Sequence, residues 1–130
     1  MILDIESSGL KADFANCFCF GWMWHGEKKA HIISTLDVVD PCRSCRRVDT
    51  AQDDKLMRLV YDKMLEADMI VSWYGKGFDW KFLNTRMLEA GVPPATVAAL
   101  MGHKDIKMVM SVYSKLDKQA GHLKDAAAKG

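Results

Sequence analysis

The chain has 130 residues, 49% of them hydrophobic and 27% charged, with a formal net charge of +1. That length predicts one domain with a real core, and the balance excludes a disordered chain or a strongly basic field that would draw nucleic acid. Contact with nucleic acid would have to come from local patches or a metal. No run is long enough to cross a bilayer and none reads as a signal peptide, so a cytoplasmic protein with no membrane partner is expected.

Residues 1–5 read as a short buried strand. It leads through Leu3-Asp4-Ile5-Glu6-Ser7-Ser8-Gly9-Leu10, where two acids sit two positions apart in an apolar run. In a strand, residues i and i+2 point to one face, so Asp4 and Glu6 project together. Two like charges that close are unfavourable without a cation between them. A divalent ion such as Mg²⁺ prefers oxygen ligands of this kind; the plainer reading is an edge strand with two solvated acids.

Residues 7–16 form a polar connection containing Gly9. Residues 17–24 give the clearest strand: Phe18, Phe20, Trp22 and Trp24 alternate with Cys17, Cys19, Gly21 and Met23. Both faces are then apolar, and one is strongly aromatic. Residues 25–28 are a turn and 30–35 a return strand, a hairpin. Residues 37–54 read as a loop with Pro41, Cys42, Cys45, Arg43, Arg46, Arg47 and several acids. Its arginines could touch phosphates, but a solvated insertion is the simpler reading. The Cys17/Cys19 and Cys42/Cys45 pairs could hold zinc. The first pair falls in a strand, whereas structural zinc sites draw on turns, so core or surface thiols are expected.

Asp53 or Asp54 can cap the next helix, whose apolar face is Leu56, Leu59, Val60, Met64 and Ala67. Residues 69–73 are a short continuous apolar run, predicted as a central strand. Residues 74–77 turn; their glycines license the turn rather than phosphate binding. Residues 78–90 are predicted helical with Asp79 in the first turn, where the helix dipole favours a carboxylate. That position is also the carboxyl end of a strand, where α/β folds place ligands. Residues 91–94 break the helix, and helical stretches follow at 94–101 and 106–116. The tail, 117–130, is rich in Lys and Ala and is expected to fray.

Two of these stretches resemble a known family. LDIESSGL, residues 3–10, resembles the first motif of the DEDD-type 3′–5′ exonucleases of the ribonuclease H-like superfamily, and SWYGKGFDWKFLNTRML, residues 72–88, resembles their second. The hairpin of residues 17–34 fits the family's second and third strands. The resemblance implies an α/β fold with a truncated ribonuclease H-like mixed sheet, followed by a helical last third. It implies Asp4, Glu6 and Asp79 as metal carboxylates for one or two Mg²⁺ or Mn²⁺ ions, and DNA or RNA as substrate.

MLEAGVPPATVAALMGHKDIKMVMSVYSKL, residues 87–116, instead resembles the end of a tyrosine recombinase (phage integrase) catalytic domain, with Gly102-His103 and Tyr113 at its motif positions. The two patterns meet around residues 84–91. That implies a chimera, with an exonuclease-type core over 1–90 and an integrase-like helical segment over 91–130. The recombinase part cannot act alone: Gly77 and Trp80 stand where that family's His-x-x-Arg would fall, leaving no guanidinium on the phosphate. Tyr113-x-x-x-Asp117 has the spacing of the third exonuclease motif, and i and i+4 share a helical face. Tyr113 would then orient the attacking water and Asp117 would complete the metal site. His103 and His122 are expected as surface or cap residues. The competing function is a non-catalytic phage-type binding or inhibitor protein on a decayed nuclease scaffold, with a host protein as partner. A DNA-binding role for Lys104, Lys107, Lys115, Lys118, Lys124 and Lys129 has weaker support, since such runs are usually solvated.

Overall fold

The computed structural model describes residues 1–102 other than Asp13, Val48, Thr50 and Ala51, together with Lys107, Ser111, Ser114, Lys115 and Lys118. Three antiparallel strands, β1 (Ile2–Ser7), β2 (Cys17–Met23) and β3 (His31–Ser34), form a sheet in the order β1-β2-β3. On the free edge of β1 the chain returns in parallel. The Leu3 N–H donates to the Val71 carbonyl and the Val71 N–H to the Met1 carbonyl, both over 2.9 Å. The sheet itself is antiparallel, with one parallel bridge at its β1 edge.

Residues 69–73 do not form the central strand that their apolar run suggests. Their pairing with β1 is a single bridge, Ile2 with Val71. Met69, Val71 and Trp73 are exposed, Trp73 at 99%. Among the described residues no strand lies beyond them, so their outward side chains have nothing to cover them.

β1 alternates as its sequence requires: Leu3 and Ile5 are buried, while Asp4 and Glu6 are exposed. β2 departs from strict alternation. Glu6 pairs with Cys19 but Ser7 pairs with Cys17, so Phe18 is the extra residue of a bulge. A bulge changes side-chain parity along a strand. Cys17 and Phe20 are buried as a result, and Phe18 is turned out at 39% exposure. Beyond the bulge, Phe20 stacks on Trp22 and Trp22 on His31, with ring centroids 5.2 and 5.1 Å apart.

The segment expected as one long loop begins with a short helix, α1 (Thr35–Val38). Asp37 starts it by accepting from the Ser34 N–H over 2.7 Å and the Ser34 hydroxyl over 2.8 Å. Three longer helices follow: α2 (Asp54–Leu65), α3 (Trp80–Glu89) and α4 (Pro94–Leu100). α3 ends at Gly91, whose φ of 82° is open to glycine. The Gly91 N–H reaches the Leu88 carbonyl and the Val92 N–H the Met87 carbonyl, both over 3.0 Å, the paired bonds of a Schellman cap. This stops the helix and turns Val92 inward.

One buried cluster joins Leu3, Ile5 and Phe20 of the sheet to Leu56, Met57, Val60 and Met64 of α2 and to Phe82, Leu83 and Met87 of α3. Val97 and Ala98 of α4 belong to the same cluster, so the core runs past residue 90 without a break. Burying each large aliphatic or aromatic side chain contributes about 1.5–3 kcal/mol. Lys107, Ser111, Ser114, Lys115 and Lys118 have helical backbone. Most of the predicted 106–116 helix and of the tail lies outside the described residues. Among the described residues no helix is long and apolar enough to cross a membrane.

Candidate functional site

β1 presents Asp4 and Glu6 on the face away from the core. Across the sheet, Asp4 stands opposite Gly21 and Glu6 opposite Cys19, which in turn stands opposite Ser34. Among the described residues neither acid has a hydrogen-bond or ion-pair partner. Asp37 adds a third carboxylate nearby. The Cys19 thiol registers all three: burial raises it first, then the charges of Glu6, Asp37 and Asp4. Asp37 itself is held below the usual carboxylate range by the Ser34 hydroxyl and then the Ser34 N–H.

Beside this acidic face lies a cavity of about 300 Å³ lined by Ser8, Asn16, Phe18, Cys19, Ser34, Thr35 and Leu36. Sequence reasoning missed Phe18, Cys19 and Asp37 as neighbours of the acids. The signal was present only as two apolar residues on opposite parities of β2, which a bulge brings to one side.

Asp79 is positioned differently. It closes a π-helical turn, Gly75–Asp79, that precedes α3, and it is only 4% exposed. Its carboxylate accepts from the Ser72 hydroxyl over 2.6 Å. The turn is wound by the Phe78 N–H to the Tyr74 carbonyl over 2.8 Å and by the Trp80 N–H to the Gly75 carbonyl. Around this turn Trp73 and Tyr74 are exposed and Trp80 is half-buried.

Asp4 and Glu6 offer the oxygen donors a hard divalent ion takes, in a pair with no described cation to neutralise it. The third donor does not join them. Among the described residues no group of three or more His, Cys, Asp or Glu side chains is close enough to hold a metal. The physical reason is local: the π-turn draws Asp79 inward onto Ser72, while Asp4 and Glu6 stand in solvent. Tyr113, Asp117, His103 and His122 lie outside the described residues.

Of the two candidate caps, Asp53 or Asp54, it is Asp53 that stands at the N-cap of α2, but it makes no side-chain cap bond. It is 1% exposed and accepts from the Cys17 N–H over 2.7 Å and the Arg86 Nε over 2.9 Å. A second Arg86 nitrogen completes a bidentate pair with it. Arg86 also pairs with Glu89 and donates to the Ala12 carbonyl over 3.4 Å. This network ties β2 to α3 and is structural.

A three-stranded antiparallel sheet with two acids on the outer face of its first strand, and helices packed into one core with its other face, makes an α/β domain. The family model RNase_H_2, described as RNase_H superfamily, matches residues 1–129, and the chain belongs to that superfamily. The match crosses residues 84–91 without a break and includes the recombinase-like stretch, so neither an integrase part nor a junction finds support. No curated protein and no solved structure matches the chain.

Proposed function

We propose that the chain is a metal-dependent nuclease of the 3′–5′ exonuclease type, acting on phosphodiesters of DNA or RNA. The observation that carries this reading is the pair Asp4 and Glu6, side by side on the open face of β1 with no described positive partner. Membership of the ribonuclease H superfamily, whose members typically use divalent metals, supports it. Asp4 and Glu6 would hold Mg²⁺ or Mn²⁺, with Asp79 as third carboxylate and Asp117 and Tyr113 completing the site. A bound ion would supply charge stabilisation at the attacked phosphate and a nucleophilic water. The chain's own contribution is orientation. The β1 ladder fixes the two acids on one face, Asp79 would have to leave Ser72 to join them, and the cavity bordered by Phe18 and Leu36 offers an apolar surface to a base.

Two observations favour a second reading. The described acids do not gather into a group of three. The exposed apolar edge at Met69, Val71, Trp73 and Tyr74 would suit a protein partner. That combination fits a non-catalytic binding protein on a nuclease scaffold.

Hydrolysis of single-stranded and duplex DNA and RNA with Mn²⁺, beside calorimetric titration of the ion, separates the two. The nuclease reading expects Mn²⁺ uptake at millimolar levels or below and loss of cleavage in Asp4→Ala and Asp79→Ala. Cleavage that survives both substitutions, or no uptake of Mn²⁺, overturns it.

A further inference from the structure

The loop between α1 and α2 carries chemistry that a nuclease site does not use. Within Pro41-Cys42-Arg43-Ser44-Cys45-Arg46-Arg47 the chain closes on itself. The Cys42 N–H donates to the Arg47 carbonyl over 2.7 Å, and the Arg46 N–H to the Cys42 carbonyl over 2.9 Å. Arg46 sits at a φ of 60°, the left-handed conformation that closes so small a ring. The two cysteines of a Cys-x-x-Cys spacing are thereby brought onto one turn, and both face solvent. The Cys42 Sγ lies 3.1 Å from the Ser44 hydroxyl. Lys55 and Asp40, 3.3 Å apart, bridge the base of the loop.

We infer that Cys42 and Cys45 form a redox-active dithiol that exchanges with small acidic disulfides, of which oxidised glutathione is the type. Cys42 is the attacking thiolate and Cys45 the resolving thiol. Cys42 sulfur attacks one sulfur of the oxidant, the S–S bond breaks, and one glutathione leaves as a thiolate that takes a proton from water. Cys45 then loses its proton and attacks the Cys42 sulfur, expelling the second glutathione. Two protein thiols are oxidised to one disulfide, and one disulfide is reduced to two thiols.

The surroundings suit this division. The Ser44 hydroxyl first, then the Cys45 N–H, the Cys45 thiol and the Ser44 N–H, holds the Cys42 thiol down to about 6. Cys42 is then mainly thiolate at neutral pH, the form that attacks disulfides. Arg43, Arg46 and Arg47 offer charge partners to an oxidant that carries carboxylates. The other two cysteines are poor rivals: Cys17 is buried with its thiol pushed up to about 12, and Cys19 is raised by burial and neighbouring acids. A zinc site is the alternative use of such a pair, but among the described residues no third ligand joins them.

The experiment treats the reduced full-length chain with oxidised glutathione at pH 7, quenches with acid, alkylates and maps the peptides by mass spectrometry. A Cys42–Cys45 disulfide with Cys17 and Cys19 still alkylatable is expected. Cys45→Ser should retain glutathione on Cys42, and Cys42→Ser should react about tenfold more slowly or less. In the native chain, alkylation of Cys42 should be half-maximal near pH 6 and move up in Ser44→Ala. Glutathione trapped on Cys45 instead, a disulfide that forms no faster than in the denatured chain, or Cys42 titrating as an ordinary thiol would each overturn the inference. None of these readouts depends on nuclease activity.

Discussion

At the scale of single residues, two charge pairs of equal formal composition should behave very differently. Asp53 and Arg86 are 1% and 11% exposed at their side chains, whereas Asp40 and Lys55 are 94% and 56% exposed. Removing one partner of a buried pair leaves the other charged and unsolvated, which costs about 3–5 kcal/mol. Asp53→Ala also strips the Cys17 N–H of its acceptor. Urea unfolding should therefore show a large loss for Asp53→Ala and, for Asp40→Ala, about 0–1 kcal/mol. Equal losses would mean that the buried network contributes nothing special. Cys17 allows a second test, in pH. Burial first, then the charge of Asp53, holds its thiol up to about 12. Above the ordinary thiol range the unfolded chain releases this proton while the folded chain keeps it. Stability is thus unaffected below about pH 8.5 and falls as pH rises toward 12, by up to about 1.4 kcal/mol per unit. Urea midpoints measured across that window should decline less steeply in Cys17→Ala than in the parent chain.

At the scale of elements, the π-turn before α3 is the segment with least tolerance. Gly75 is buried, and a Cβ there would run into the Trp80 indole and come within 2.8 Å of the Ser72 hydroxyl. A Cβ at Gly77 would enter the Tyr74 ring. Gly75 is thus required by close approach rather than by a positive φ, whereas the exposed Tyr74 ring can swing away from a Cβ at Gly77. Gly75→Ala should cost about 1–3 kcal/mol through overpacking. It should also displace Ser72 from Asp79, which an upfield move of the Ser72 hydroxyl proton would report by NMR. An unchanged spectrum would show that the turn can absorb a methyl group. This turn was legible in the sequence only as two glycines in a loop. Hydrophobic periodicity found α2, α3 and α4 because each buries one face in the common core. It misplaced residues 69–73 because an apolar run carries no information on whether a neighbour covers it. It missed the parity change at Phe18 for a related reason: a bulge is set by pairing with β1, not by β2 alone. Asp53 misled in the same way, since a carboxylate before a helix reads as a cap until its partner, Arg86, arrives from a distant helix.

At the scale of the whole molecule, the acids of β1 set function against stability. Asp4 and Glu6 project from one face with Asp37 close by, and the raised Cys19 thiol shows that their fields overlap. The two repel in the unfolded chain as well, being two residues apart, but Asp37 is brought near them only by the fold. Without a cation the pair is therefore a net cost, small because both groups are solvated. Asp4→Asn should then stabilise the chain slightly in chelator, by no more than about 0.5 kcal/mol. A divalent ion reverses the order. An ion that binds only the folded chain stabilises it by about 2.7 kcal/mol at a hundredfold excess over its dissociation constant. Thermal unfolding in chelator and in Mn²⁺ should show the parent chain gaining from the ion and Asp4→Asn gaining little, so that their stabilities cross. Asp79→Asn adds a discriminating arm. If Asp79 leaves Ser72 to join the ion, this variant also loses part of the gain; if it stays on Ser72, the gain persists and only β1 meets the metal. Parallel shifts for the parent and Asp4→Asn would remove the metal from the acidic face altogether, and with it the nuclease reading.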